Sequence, residues 1–144
     1  MARKTILAVD DDKVVLEAIN ETFSDDYNIL LAHDGHEAVE LAGHHKVDII
    51  LLDVMMPGFD GFSTLMLLKD NDLTKDIPVI MLTAVGKKEK VISAFRDGAA
   101  GYLLKPFKEE TLRSKIESVF ASVESEQQSL KPDQEPGGDD TEKT

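Results

Sequence analysis

The chain has 144 residues, 28 acidic against 16 basic side chains for a net charge of −12, no cysteine, and 42% hydrophobic residues. That length suits one globular domain and that apolar share suits an ordinary core, which excludes wholesale disorder and the collagen-like and coiled-coil classes. Disulfide scaffolds, thiolate nucleophiles and Cys-ligated metals are excluded too, and the acidity opposes attraction to nucleic-acid phosphates and anionic membranes.

The basic start, Arg3-Lys4, leads into Ile6-Leu7-Ala8-Val9, which halts at Asp10-Asp11-Asp12 and is too short for a signal peptide. The stretch from Val47 to Pro57 is broken by acids and cannot span a bilayer, so a soluble cytoplasmic protein is expected. In chain order, apolar runs at Thr5–Val9, Asn28–Ala32, Val47–Leu52, Pro78–Thr83 and Gly101–Leu104 predict strands. Between and after them, helical spacing predicts helices over Lys13–Phe23, Gly35–His44, Gly61–Lys69, Lys87–Asp97 and Lys108–Ser122. Runs such as Ile49-Ile50-Leu51-Leu52 do not alternate with polar residues, so both faces of the strands are expected to be covered. The result is an α/β fold with a parallel sheet between helices, whose ligands gather at the carboxyl ends of the strands.

From Glu124 onward apolar residues nearly vanish, and seven acids face two lysines, so −5 of the net charge lies there. The expected division is a folded domain over 1–123 and an acidic disordered tail or linker stub over 124–144.

Polar residues end four of the strands: Asp10 and Asp11, Asp53, Thr83-Ala84, and Lys105-Pro106. Singly they say little. An acid triplet after a strand equally suits a helix N-cap, a task Asp12 fits, and a lone Asp53 before Pro57-Gly58 reads more readily as a turn residue. Taken together they place carboxylates at one sheet edge, where a pair about 4 Å apart repels by about 4 kcal/mol at an effective dielectric near 20. Lys105 offers a cation to offset that, and an all-oxygen ligand set calls for a hard divalent ion such as Mg²⁺. A carboxylate, a hydroxyl, an ammonium and a metal site together meet the needs of phosphoryl transfer. Asp53 would be the phosphoacceptor, Asp10 and Asp11 would hold the metal, and Thr83 and Lys105 would each bind a phosphoryl oxygen.

These stretches, with Asp48 to Gly61, Pro78 to Ala84 and Gly98 to Phe107, resemble the response-regulator receiver domains of two-component signalling over about Thr5 to Ser122. The resemblance implies a flavodoxin-like, doubly wound sheet of order 2-1-3-4-5 with five flanking helices. It also implies a Mg²⁺ site that adds the Met55 backbone carbonyl to Asp10, Asp11 and Asp53, and a cis Lys105–Pro106 peptide. A phosphoryl group would come from a kinase phosphohistidine, and Thr83 would couple to Tyr102 as a switch that reshapes the face of the fourth helix, fifth strand and fifth helix. The family's in-line water is bordered by the positions of Met55 and Val85, which hydrogen-bond water poorly, so slow self-dephosphorylation is expected. The protein would thus be a regulatory phosphoacceptor and not an enzyme.

The partners implied are a sensor histidine kinase or histidine phosphotransfer protein and an unidentified downstream protein. Neither direct DNA binding nor a membrane is expected, and a phosphorylation-dependent dimer is one form the output could take. No output domain is visible after Ser122, so a stand-alone receiver, a relay intermediate and a piece of a longer chain remain open. Three rival readings differ in chemistry. A flavodoxin-like cofactor binder would place phosphate against Asp10-Asp11-Asp12, which repels it. A haloacid-dehalogenase-type phosphatase would want an acid where Met55 stands. A receiver-fold interaction module acting without phosphorylation would have no need of Asp53, Thr83 and Lys105 together. His33, His36, His44 and His45 read as a solvated helix face, and Lys87, Lys88 and Lys90 serve partner contact or solubility equally well.

Overall fold

The apolar runs pair side by side in a computed structural model that describes residues 3–54, 60–84 and 88–129. The order of elements is β1 (Thr5–Val9), α1 (Lys13–Phe23), β2 (Asn28–Ala32), α2 (Gly35–His44), β3 (Ile49–Asp53), α3 (Gly61–Lys69), β4 (Val79–Thr83), α4 (Lys88–Arg96), β5 (Gly101–Leu104) and α5 (Glu109–Ser129). All pairings are parallel in the order 2-1-3-4-5, with Ile6 opposite Ile49, Leu52 opposite Met81, and Met81 opposite Tyr102. This is the flavodoxin-like arrangement that the family resemblance implies.

Period-two side chains explain why the strand runs are unbroken. Leu7, Val9, Ile50, Leu52, Val79 and Met81 face Ala38, Ala42, Leu65, Leu68 and Ala94 of α2, α3 and α4. Their neighbours Ile6, Ala8, Ile49, Leu51, Ile80 and Leu82 face Leu16, Ile19 and Phe23 of α1 and Leu112, Ile116 and Val119 of α5. Two cores, one on each side of the sheet, hold the strand ends in a common plane.

Three aspartates start helices at the carboxyl edge. Asp12 accepts from Val14 N at 2.9 Å, Asp34 from Glu37 N at 2.8 Å, and Asp60 from Ser63 N at 2.8 Å, each satisfying an otherwise orphaned amide. Glu37 in turn accepts from the N–H of His33, the residue before the cap, at 2.8 Å, which ties the chain entering α2 to its first turn. At the far end of α4, Gly98 takes φ +109° while its N–H donates to Phe95 O and that of Ala99 to Ala94 O, a Schellman stop that favours glycine.

The division expected after Val123 falls inside α5, which continues to Ser129. Apolar residues stop where the core stops, but Glu, Gln and Ser sustain a helix beyond it. The α4 helix is shorter than expected at its carboxyl end, stopping at Arg96 because Gly98 breaks it. Among the described residues no helix is long and apolar enough to cross a membrane.

Candidate phosphoacceptor site

Each of the polar strand-end residues is positioned by the sheet. Asp10 follows β1 and is tied by its N–H to Ala32 O at 3.1 Å, while Asp53 ends β3 and Thr83 ends β4. Lys105 follows β5, its N–H donating to Thr83 O at 2.8 Å, and its peptide to Pro106 is cis. Asp10, Asp53 and Thr83 are all buried, at 3%, 4% and 0% exposure, whereas Asp11 is exposed at the rim.

Lys105 Nζ bridges the two buried acids, 3.0 Å from Asp10 Oδ2 and 3.2 Å from Asp53 Oδ1. The other Asp10 oxygen accepts from Asp12 N at 3.0 Å. Burial pulls the Lys105 pKa down, but the hydrogen bond and charge of Asp10, followed by those of Asp53, outweigh it and leave it above the ordinary lysine value. The ammonium is therefore held charged between carboxylates that would otherwise repel.

Asp10, Asp11 and Asp53 also each bring a carboxylate oxygen into one group whose members lie within 4.8 Å of one another. Three anionic oxygens at that spacing suit a hard divalent cation, so the donor set fits Mg²⁺. The expected fourth ligand, the Met55 carbonyl, lies outside the described residues, as does Val85.

Tyr102 is half-buried on the sheet face that packs against α2, α3 and α4, and that burial raises its phenol pKa. Its strand partner is Met81, two residues before Thr83, so Tyr102 and Thr83 lie on the same face one diagonal apart. His33, His36, His44 and His45 are exposed on and beside α2, with His33 Nδ1 3.3 Å from Glu37 Oε1 and His44 Nδ1 2.9 Å from Glu40 O. Lys90 stands over the Phe62 ring at 5.5 Å, and Lys87 lies outside the described residues.

One residue escaped the sequence reading. A Cβ on Gly61 would collide with the Asp53 carbonyl oxygen and come within 2.7 Å of Val54 Cα, and Gly61 N donates to Val54 O at 2.9 Å. Gly61 thus lets the start of α3 lie directly on the strand end that carries Asp53. The only hint in the sequence was the Asp60-Gly61 pair at a helix start.

The fold and the acidic strand-end site together define a regulatory phosphoacceptor domain, and the family model "Response regulator receiver domain" matches residues 6–117. The chain belongs to the response regulator receiver family of two-component systems. Members of this family typically bind Mg²⁺ at an acidic pocket, and Asp10, Asp11 and Asp53 form an acidic group here. The chain is 36% identical over 128 residues to the DNA-binding dual master transcriptional regulator RpaA of Synechocystis, covering 88% of this chain and 53% of RpaA. Among solved structures it resembles the chemotaxis protein CheY4 of Vibrio cholerae (TM-score 0.78, 34% identity, 82% of this chain and 99% of that one). It also resembles a protein in the CheX-CheY-BeF3-Mg complex of Borrelia burgdorferi (TM-score 0.76, 33% identity, 81% and 89%).

The chain therefore spans about half the length of that regulator. This corrects the expectation that direct DNA binding is excluded. The net charge of −12 belongs to these 144 residues alone. A stretch 36% identical to this chain makes up about half of a DNA-binding regulator, so the charge of that stretch carries no information on DNA contacts made elsewhere in a chain.

Proposed function

We propose that this receiver is switched by transfer of a phosphoryl group from a phosphohistidine to Asp53. The observation that carries this reading is the Lys105 ammonium bonded at once to Asp10 and Asp53, beside a third carboxylate on Asp11. An Asp53 carboxylate oxygen attacks phosphorus, forming an O–P bond as the N–P bond breaks. The electron pair leaves on the imidazole nitrogen, whose ring departs neutral because its other nitrogen already carries the proton. Lys105 pairs with one phosphoryl oxygen and the Thr83 hydroxyl donates to another. Asp10, Asp11 and Asp53, with the Met55 carbonyl, would hold Mg²⁺, which when bound supplies neutralisation of the phosphoryl charge. The Borrelia relative is complexed with BeF3 and Mg²⁺, and fluoroberyllate has the shape and charge of a phosphoryl group.

Movement of the Thr83 hydroxyl toward the phosphoryl group opens space for Tyr102 on the same sheet face, and the surface of α4, β5 and α5 changes with it. That surface already bears Ile92, Phe95 and Leu104, each nearly half exposed, an apolar face suited to a protein target. Met55 and Val85 favour slow hydrolysis of the acyl phosphate, because neither side chain can hold an attacking water.

The test is chemical. Treatment with a phosphoramidate donor and Mg²⁺, then borohydride reduction, should convert Asp53 alone to homoserine in a peptide map. Modification of another residue, or none in the folded protein, would contradict the reading.

A further inference from the structure

Helix α3 is apolar on two sides. Thr64, Leu65 and Leu68 are fully buried against the sheet, yet Met66 and Leu67 are 58% and 45% exposed. Ser63, Met66, Leu67 and Asp70 fall at i, i+3, i+4 and i+7, a continuous outer stripe. Just past the helix, Leu73 is 73% exposed. Exposed apolar surface rimmed by polar groups, as Ser63 and Asp70 rim Met66 and Leu67, marks interaction sites.

The stripe borders an open groove of about 580 Å³ lined by Ser63, Met66, Leu67, Lys69, Asp70 and Asp97, the last just beyond α4. A second hollow of about 440 Å³, reaching Val39 and Asp72, lies on the other side of Leu67 and Asp70, so Leu67 forms a ridge between the two.

The groove has a charge preference. Lys69 turns its ammonium inward, donating to Lys75 O at 3.0 Å and Ile77 O at 2.8 Å. Lys75 is drawn to Asp72 at 3.2 Å. The Asp70 and Asp97 carboxylates have no ion-pair partner among the described residues. An apolar floor is thus edged by unneutralised acids.

That edge discriminates among occupants. A second copy would bring the same acids face to face, with −12 on each chain, and the segment 124–144 carries −5 of its own. Both are repelled, as are nucleic-acid and lipid phosphates. We propose that the groove between α3 and the carboxyl end of α4 docks a basic amphipathic helix of a partner protein, its apolar stripe covering Met66 and Leu67 and its Lys or Arg side chains pairing with Asp70 and Asp97. The groove runs along α3 from Ser63 to Asp70, its lining includes none of Asp53, Ile92, Phe95 and Leu104, and its use rests on no part of the phosphoryl chemistry.

The experiment titrates the isotope-labelled full chain by two-dimensional NMR with a synthetic helix of about eighteen residues, Leu at every third or fourth position and Lys or Arg between. Resonance changes should centre on residues 63–73 and 96–98, and raising salt from about 0.05 to about 0.5 M should weaken binding. The double variant Met66→Ser/Leu67→Ser should bind about tenfold more weakly. Asp70→Lys/Asp97→Lys, which leaves the apolar floor intact, should do likewise, and Asp53→Asn should bind as wild type.

Equal binding of a peptide with the same composition in scrambled order, or of one with Glu in place of Lys, would overturn the proposal. So would changes centred on Ile92, Phe95 and Leu104, or unchanged affinity in both double variants. Self-association of the wild type that Met66→Ser/Leu67→Ser abolishes would make a second copy the occupant and overturn it equally.

Discussion

Lys105 is the residue on which the site turns. It neutralises two acids that are almost wholly out of water, and its own side chain is only 27% exposed. Removing one partner of a largely buried ion pair leaves the other charges uncompensated. Lys105→Ala is expected to lower stability in metal-free buffer by about 2 kcal/mol, less than for a fully buried pair because solvent reaches the site. Urea titration at neutral pH checks this, and added Mg²⁺ should recover part of the loss by binding the folded carboxylates. A loss that is absent, or indifferent to Mg²⁺, would separate Lys105 from the acids it bridges. The residue types at the strand ends were legible in the sequence because four polar endings coincided. The Lys105 bridge itself was not, since it depends on which oxygen of Asp10 is already taken by Asp12 N.

At the scale of elements, the start of α3 and the aromatic packing of α1 with α5 lead to separate expectations. Because the groups a Gly61 side chain would meet are backbone atoms of Asp53 and Val54, they cannot rotate away. Gly61→Ala should therefore cost about 1–3 kcal/mol and displace Asp53, a combination read by thermal melting together with a reduced phosphorylation rate. Wild-type values for both would show that α3 can shift freely.

Tyr27 stands between Phe23 and Phe120, with ring centroids 6.3 and 6.2 Å away. Burial, then the charge of Glu117, raise its pKa against the opposing pull of Arg113, and burial raises that of Tyr102. The folded chain thus keeps both phenolic protons after the unfolded chain begins to release its own near pH 10. Stability from these groups is fully present below about pH 10 and is lost as pH climbs through the folded values. Phenolate absorbance should show both tyrosines, the chain's only two, titrating at higher pH when folded than in urea. Coincident curves would contradict it.

The strands were the most legible elements, since burial of both faces left unbroken apolar runs at Ile49–Leu52 and Val79–Leu82. The end of α5 was not. Its last turns outrun the core, and composition reports the core. For α3, the sequence shows apolar residues on every side but cannot say that Leu65 and Leu68 face inward while Met66 and Leu67 face out, which depends on where α3 sits on the sheet. Thr74 was equally silent, its hydroxyl buried and donating to Leu68 O at 2.6 Å to close the turn after α3.

For the whole molecule, two cores clamp one sheet so that β1, β3, β4 and β5 deliver Asp10, Asp53, Thr83 and Lys105 to a single edge. The acidic pocket should bind Mg²⁺ to the folded chain and not the unfolded one, raising stability by about 2.7 kcal/mol at a hundredfold excess over Kd. Asp10→Asn should blunt that rise in a calorimetric melt, and an equal rise in wild type and variant would place the metal elsewhere.

The central claim is that Asp53 is a Mg²⁺-dependent phosphoacceptor, and intact-mass spectrometry after incubation with a small-molecule phosphodonor tests it most directly. Wild type should gain the mass of one phosphoryl group with Mg²⁺ and little or none without it, and Asp53→Asn should gain none. A folded, Mg²⁺-binding wild type that gains nothing, or an Asp53→Asn variant that gains the same mass, would contradict the account and leave the receiver fold as a binding module working without phosphorylation of Asp53.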